Sequence, residues 1–480
     1  MTIRIGSKTF LNSDQKEFAE ISKDYNKIHT DPVASRKLIF GNQIVHGVNT
    51  LMTALIFFSI RKKNIKIKNI SCTFYKPIYL NKKINFYLEE KNNEYYLHVK
   101  SGSILNSIIH INKLGFQLNS DKKYKNYKKN IIKKINIKNI LSHDCNFNFT
   151  NRFFLINNKN FKIKKRYKKL LNIFSNTEIK DILSLSFFVG MVCPGKYALL
   201  GKIDLNFEKN KKYIFNDIKF FLNKFDKRIN RVEINFSNSI IGKIYAFKYN
   251  VSHQEDLKNI KLKIKNKFLK TKKAIVLGGS RGLGELTSKI LSSAGSDTLV
   301  SYNHGKVEAQ KLKSNIIKLT NTKCKIMKID MLRENNFLKF KNENAYDFLF
   351  YFATPKIINN YIKKFDSQLY KKFNEFYVFK FSRLCKLLNK ISRKKVKVFF
   401  PSTIFLNYKE NFFKEYVLSK KKAEANIKYL NKKLQNIKII SYRLPIMDTD
   451  QNINVVKKNK INNFKILFPV IKKFVKNEKN

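Results

Sequence analysis

The apolar positions of this chain recur with two different periods, and the change from one to the other divides it into three parts. Over residues 1–120 helical spacing comes first. Phe18, Ala19 and Ile21 share one face of a segment that Ser13 could cap and that runs to about Lys23, and Val48 to Ile60 is apolar almost throughout, which predicts a buried helix. Alternation follows in KNISCTFYKPIYL, KINFYLEEK, EYYLHVKSG and SIIHINKLGFQ, which read as strands of an antiparallel sheet. Residues 141–253 repeat the plan, a helical stretch and then ALLGKIDLNF, KYIFNDIKFFLN, RVEINFSN and IIGKIYAFKYN. Residues 274–480 differ: short apolar runs (AIVLGG, DTLVSYN, KIMKID, DFLFYFA, KVKVFF, KIISYRL) alternate with helical ones. That rhythm predicts a doubly wound parallel sheet, so the fold class is α+β followed by α/β. Residues 121–140 and 254–273, rich in Lys and Asn, read as solvated linkers or charged edge elements.

Composition changes this picture little. With 480 residues and 43% apolar content the chain can bury a core, which excludes disorder throughout. Ninety-eight Lys+Arg against 34 Asp+Glu give a net charge of +64, which would point to nucleic acid. The lysines, however, are spread along the chain. The abundant residues (Lys, Asn, Ile, Phe, Tyr) are those with A- and T-rich codons, so base composition accounts for the charge, and a nucleic-acid-associated role ranks last. Five scattered cysteines without a CxxC pair indicate neither a disulfide framework nor a metal site. The first residues lack a signal pattern, and the longest apolar run falls short of the ~20 residues a membrane span needs. A cytoplasmic protein without a membrane span is expected.

Two clusters carry chemistry. In the first, Asp24-Tyr25-Asn26-Lys27-Ile28-His29 follows the first helix, and Val45-His46-Gly47 opens the apolar one. A carboxylate beside an imidazole can hold and activate water, while N–H groups at a helix start are donors for a developing oxyanion. Together they suit adding or removing water across a double bond conjugated to a carbonyl. The run DYNKIHTDP with IVHG resembles the MaoC-like dehydratases, or (R)-specific enoyl-CoA hydratases, of the hot-dog fold. The resemblance implies that Asp24 and His29 activate water, that Asn26 holds the geometry and that Gly47 N–H binds the thioester oxygen. Lys27 stands where the family usually has proline. His46 packs or caps. SFFVGMVCPGKYALLG (186–201) resembles the degenerate second half of double hot-dog dehydratases, in which Gly190, Pro194 and Gly195 would shape a turn and the half would act as scaffold and channel wall.

In the second cluster a strand ending at Leu277 runs into Gly278-Gly279-Ser280-Arg281-Gly282-Leu283-Gly284 and then a helix. Strand, glycine turn and helix form a dinucleotide cradle, with the helix N-terminus facing the pyrophosphate. The spacing resembles the short-chain dehydrogenase/reductases, whose domain here is Rossmann-type. After the second strand, at Asn303, no acid is available for a ribose hydroxyl; Arg281 and Lys306 could meet a 2′-phosphate, which favours NADP(H) over NAD(H). Asp330 matches the family's adenine-contacting acid, and Ala353 is what remains of its N-N-A-G. Tyr416 and Lys420 stand at i and i+4 on one helix face, the phenol as proton donor and the ammonium lowering its pKa and holding the nicotinamide ribose. Ser402 and Thr403 both stand where the substrate-steadying hydroxyl belongs. Tyr377 occupies the place of the relay asparagine, with Asn374 one turn away, and the C-terminus is short.

The domains expected are therefore a MaoC-like hot-dog at 1–120, a degenerate second hot-dog at 141–253, and a reductase domain at 274–480. The expected function is a bifunctional enzyme of acyl-CoA or acyl-carrier-protein thioesters. It would combine a hydratase/dehydratase with an NADP(H)-dependent 3-oxoacyl/3-hydroxyacyl reductase, and family habit suggests a homo-oligomer. The alternative is an active hydratase with a non-catalytic reductase-like domain.

Overall fold

The computed structural model describes residues 2–92, 94–113, 132–137, 153–207, 217–250, 252, 254–342, 345–357, 365–408, 413–451 and 461–476. It divides the chain into two compact units, residues 1–251 and essentially the remainder.

The first unit is built on one eleven-stranded sheet. Its first half comprises β1 (Thr2–Thr9), β2 (Ile67–Phe74), β3 (Lys83–Lys91), β4 (Glu94–Ser101) and β5 (Ile104–Lys113). Its second comprises β6 (Ile132–Lys134), β7 (Phe153–Asn157), β8 (Ala198–Asn206), β9 (Asp217–Asp226), β10 (Arg231–Ser237) and β11 (Ile241–Lys248). The strand order is β1-β3-β4-β5-β2-β8-β11-β10-β9-β7-β6, antiparallel except at the β6–β7 edge. The halves join where β2 pairs with β8, Ile70 opposite Leu205 and Cys72 opposite Ile203. Alternation sets which residues face inward: Tyr95, Leu97 and Val99 on β4, and Val232, Ile234 and Phe236 on β10, are all buried. The helices are α1 (Asn12–Ser22), α2 (Lys27–Thr30), α3 (Gly47–Arg61) and α4 (Asn176–Phe187). Val48, Leu51, Met52, Ala54, Leu55 and Phe58 of α3 are all within 1% of full burial and share one continuous core with Ile179, Ile182 and Leu183 of α4. At ~1.5–3 kcal/mol for each large apolar side chain, this burial holds a helix whose polar face is nearly absent.

Several local expectations are corrected. Ser13 does not cap α1. The helix starts at Asn12 with Leu11 at its N-cap, two residues earlier than a Ser13 cap would set, and the Asp14 carboxylate accepts from Leu11 N (2.8 Å). Both halves have a strand ahead of their helices, β1 and β7, that the alternation had not singled out. Of the expected linker 121–140, residues 132–137 are described and carry β6 with Ile135 and Ile137 buried, the rest lying outside the described residues. Residues 254–273 are no plain linker: they carry α5 (Leu257–Lys263), with Leu257, Ile260, Ile264 and Leu269 buried in the second unit. Those apolar residues are spaced for one face of a helical turn, which the dense lysines obscured.

The second unit is a six-stranded parallel sheet of β12 (Lys273–Leu277), β13 (Asp297–Tyr302), β14 (Cys324–Lys328), β15 (Phe348–Tyr351), β16 (Val396–Thr403) and β17 (Ile437–Leu444), in the order β14-β13-β12-β15-β16-β17. The order reverses at β12 and β15, so a crevice opens beyond their carboxyl ends. Helices α6 (Gly282–Ser293), α7 (Lys306–Thr320), α8 (Ser367–Asn374), α9 (Phe381–Ile391), α10 (Lys414–Lys433) and α11 (Asn463–Lys476) connect or follow the strands. Of the central strands, β15 is buried end to end and β12 from Ala274 to Leu277, as expected of a sheet covered on both faces. Among the described residues no helix is long and apolar enough to cross a membrane.

Candidate active site

The first cluster assembles around the end of α1. Lys23 takes a left-handed conformation (φ 59°), which ends the helix and turns Asp24 inward. Asn26 then caps α2, its Oδ1 accepting from Ile28 N at 3.2 Å, and its Nδ2 donates to Gly190 O (3.2 Å) and Gly195 O (3.3 Å). One asparagine thus ties the catalytic-type loop to the turn that follows α4. Asp24 Oδ2 accepts from Ser186 Oγ (2.7 Å) and Oδ1 from Asn26 N (3.2 Å). Gly190 is required here, since a Cβ would collide with the Asp24 carboxylate.

His29, half-buried on α2, places Nδ1 2.9 Å from Ile44 O. A carbonyl can only accept, so Nδ1 carries the hydrogen and Nε2 keeps its lone pair. The ring stacks on His46 at 4.0 Å between centroids. His46 is fully buried, with Nδ1 2.8 Å from Gln15 Oε1, and Nε2 3.1 Å from the Asp24 carbonyl oxygen and 4.0 Å from Asp24 Oδ2. It does more than pack or cap, since it locks the two loops together beneath the pair.

Burial governs the titration of all three groups. It pushes Asp24 up to about 7 against the Ser186 and Asn26 hydrogen bonds, and pulls His29 down to about 4 against the Ile44 carbonyl. Burial, and then the neighbouring His29, hold His46 well below its ordinary value. At neutral pH the site therefore holds neutral imidazoles beside a carboxyl poised between its two forms. The polar atoms of Asp24, His29 and His46 lie within 4.8 Å of one another. Both His46 nitrogens already face protein oxygens, so a metal would find two donors, fewer than the three a catalytic zinc takes.

Gly47 opens α3. The first helical bond runs from Thr50 N to His46 O (3.1 Å), leaving the N–H groups of Gly47, Val48 and Asn49 without an intrahelical acceptor. A Cβ at Gly47 would stand 3.0 Å from Leu200 and 3.2 Å from the Phe74 ring, so only glycine fits without displacement.

In the second unit the glycine turn takes the expected form. Gly278 (φ 72°) and Gly282 (φ 58°) are left-handed; a Cβ at Gly278 would lie 2.9 Å from the Phe352–Ala353 peptide, and one at Gly284 would strike Gly278 O. The first bond of α6 runs from Glu285 N to Arg281 O (3.2 Å), so the N–H groups of Gly282, Leu283 and Gly284 lack intrahelical acceptors. Ser280 is nearly buried beside Gly305; Asn303 and Ala353 are half-buried at the strand ends. Asp330 Oδ1 accepts from Leu332 N (3.0 Å). Lys306 is exposed, whereas Arg281 is ion-paired with Asp450 at 2.8 Å, a partner the sequence had not suggested.

The two hydroxyls have different partners. Thr403 hydrogen-bonds the Tyr416 phenol, while Ser402 Oγ turns away to Glu424 Oε1 (2.5 Å). Burial pushes Tyr416 up to about 12, with the Thr403 bond opposing. Lys420 departs from expectation. It is buried and donates to Pro401 O (2.6 Å), 3.8 Å from the Tyr377 ring centre and 5.7 Å from that of Tyr416. Burial pulls its pKa down to about 7, with Glu424 opposing. Tyr377, in turn, pairs its hydroxyl with Thr354 Oγ1 (2.5 Å). An asparagine there would be too short to cover the ammonium; the larger aromatic ring does so.

Comparison with known proteins supports part of this chain directly. Residues 3–110 match the family described as MaoC like domain. Over 42 residues the chain is 43% identical to the mitochondrial 3-hydroxyacyl-[acyl-carrier-protein] dehydratase of Arabidopsis thaliana, a stretch covering 9% of this chain and 25% of that protein. The chain thus spans about a quarter of the length of that curated relative. Similar solved structures include a short chain dehydrogenase from Burkholderia cenocepacia J2315 in complex with NADP (18% identity, 38% of this chain and 78% of the other, TM-score 0.35). Another is a short chain dehydrogenase from Shigella flexneri 2a str. 301 (14%, 44% and 93%, TM-score 0.38). The half of the first unit that holds Asp24, His29 and Gly47, residues 3–110, is a MaoC-like domain.

Proposed function

We propose that this chain is an acyl-thioester enzyme of two activities: an (R)-specific 2-enoyl hydratase/3-hydroxyacyl dehydratase in the first unit and an NADP(H)-dependent 3-oxoacyl/3-hydroxyacyl reductase in the second. The domains would be two hot-dog halves, 1–120 and 141–253, and a reductase domain at 274–480. The observation that carries the first activity is the Asp24–His29 pair, with Asp24 held by Ser186 from the other half. In dehydration His29 Nε2, bare and neutral, takes the proton from C2. The C3–O bond breaks as Asp24 gives its proton to the departing hydroxyl, forming water and the C2=C3 bond. Hydration runs the same steps backwards. Gly47 N–H at the start of α3 receives the negative charge that develops on the thioester oxygen, and Asn26 keeps the loop in register.

In the second unit the N–H groups of Gly282, Leu283 and Gly284 would hold a pyrophosphate, with Ser280, Asn303, Asp330 and Ala353 around the adenosine and Arg281 and Lys306 toward a 2′-phosphate. The glycine-only contacts of that turn fit such a group. The cofactor, when bound, supplies the hydride; Tyr416, steadied by Thr403, gives the carbonyl oxygen its proton. A second reading, cofactor binding without turnover, is favoured by Lys420, whose ammonium is committed to Pro401 O rather than to a ribose.

The test follows NADPH consumption with 3-oxoacyl-CoA and hydration of crotonyl-CoA in wild type, Asp24→Asn and Tyr416→Phe. Two working sites require NADPH loss abolished only by the tyrosine change and hydration abolished only by the aspartate change. Hydration without NADPH oxidation would establish the second reading. Inactivity of folded protein in both assays would overturn the substrate class.

A further inference from the structure

After β17 the chain crosses the mouth of the glycine turn. Asp448 N donates to Asn463 Oδ1 (2.8 Å) and Asn463 Nδ2 to Asp448 O (2.6 Å), while Ile357 N donates to Gln451 Oε1 (2.9 Å). Both sides of Asp450 are therefore anchored, one to the start of α11 and one to the segment after β15. Between these anchors the Asp450 carboxylate is presented to the turn: Oδ2 pairs with Arg281 at 2.8 Å, and Oδ1 is 3.5 Å from where a Cβ on Gly282 would stand. Its side chain is 11% exposed and that of Arg281 33%. Lys356 belongs to the same group, its burial offset by Asp450 and aggravated by Arg281. A carboxylate of the chain itself thus occupies the cationic end of the cradle.

We propose that Asp450 is a cofactor-selectivity residue that competes with the 2′-phosphate of NADP(H) for Arg281. The proposal rests on the reading of the second unit as an NADP(H) site. A 2′-phosphate brings about two negative charges at pH 7. To reach the Arg281 guanidinium it must share it with, or take it from, a carboxylate of like charge held by two anchors. NAD(H), which has a hydroxyl at that position, makes no such demand. Asp450 therefore narrows the preference for NADP(H) that Arg281 and Lys306 would otherwise create.

Isothermal titration of the full chain with NADPH and with NADH tests this in wild type, Asp450→Asn, and Asp450→Asn combined with Arg281→Gln; intact crotonyl-CoA hydration and an unchanged thermal transition establish folding. The expected result is an NADPH affinity raised about ten-fold by Asp450→Asn, NADH affinity within about two-fold, and the gain lost in the double variant. An equal gain for both dinucleotides would overturn the proposal by showing that the carboxylate opposes the shared pyrophosphate; no gain for either would overturn it outright. If none of the three proteins binds either dinucleotide, the cofactor reading itself fails, and the proposal with it.

Discussion

Replacing Asp24 by asparagine should abolish hydration and yet stabilise the first unit at neutral pH, and the size of the gain follows from the site. Asp24 is buried, with side-chain exposure of 4%, and burial raises its pKa from 3.8 to about 7. A folded pKa above the unfolded one means that the folded chain keeps a proton the unfolded chain has released. Stability attributable to Asp24 therefore falls as pH rises from about 4 to about 7, and is flat above. A shift of about three units at ~1.36 kcal/mol each gives about 4 kcal/mol as the cost of ionising this carboxyl in place. His29 acts in the opposite sense. Its folded pKa of about 4 lies below the ordinary 6.5, so its contribution grows with pH across that window and masks much of the aspartate's loss in the wild type. Asparagine retains a carbonyl oxygen for Ser186 or for Asn26 N and does not titrate. The difference between variant and wild type thus isolates Asp24. It should be close to zero near pH 4 and grow to about 2–4 kcal/mol in favour of the Asp24→Asn variant by about pH 8. Calorimetric unfolding of both proteins across this range, following the transition of the first unit, measures it. In parallel kcat for crotonyl-CoA hydration should fall by about 10²–10⁴-fold. A variant less stable than wild type at both ends of the pH range would refute the reasoning, because the carboxylate would then be stabilised by its hydrogen bonds rather than strained by burial.

Other outcomes follow from single contacts. In the wild type kcat/KM for dehydration should fall above about pH 7, as Asp24 loses the proton it donates, and below about pH 4, as His29 gains one; a flat profile through pH 7 would remove Asp24 as the acid. Gly190→Ala drives a methyl group into the Asp24 carboxylate and should cost hydration at least about ten-fold in kcat with little change in KM, read from steady-state kinetics. If the second unit turns over, Thr403→Val should lower NADPH oxidation about as far as Tyr416→Phe, whereas Ser402→Ala, whose hydroxyl serves Glu424, should change it by less than about three-fold. Asp181, buried in α4, accepts from Asn158, Asn238, Ser239 and Ile240 N; Asp181→Asn would set an amide against those donors and lower stability by about 2–4 kcal/mol in urea unfolding.

What was legible in the sequence divides along sequence distance. Asp24, Asn26 and His29 lie within six residues, and Gly278 to Gly284 within seven, so each set is brought together by one helix end, and the local spacing already implied the geometry. The partners that tune these groups stand far away along the chain. Ser186 reaches Asp24 across 162 residues and Asn26 reaches Gly195 across 169, because the β2–β8 pairing puts the second half beside the first. No periodicity reports a pairing of that range. The second half therefore looked like scaffold, although it supplies the hydroxyl that holds the carboxylate and the glycine that makes room for it. Side-chain direction was illegible for a different reason. Helical spacing put Tyr416 and Lys420 on one face, and so they are, but spacing carries no information about which way a four-carbon chain turns. That is decided by what fills the space beside it. With Tyr377 in place of a small amide, the ammonium gains an aromatic face and a carbonyl beneath the site and has less reason to point outward. The same logic applies to Arg281: the motif implied a cation at the cradle, whereas its present partner, Asp450, comes from far along the chain, beyond the last strand of the sheet. A motif thus specifies which groups are available at a site, and long-range packing decides whether they are free to act there.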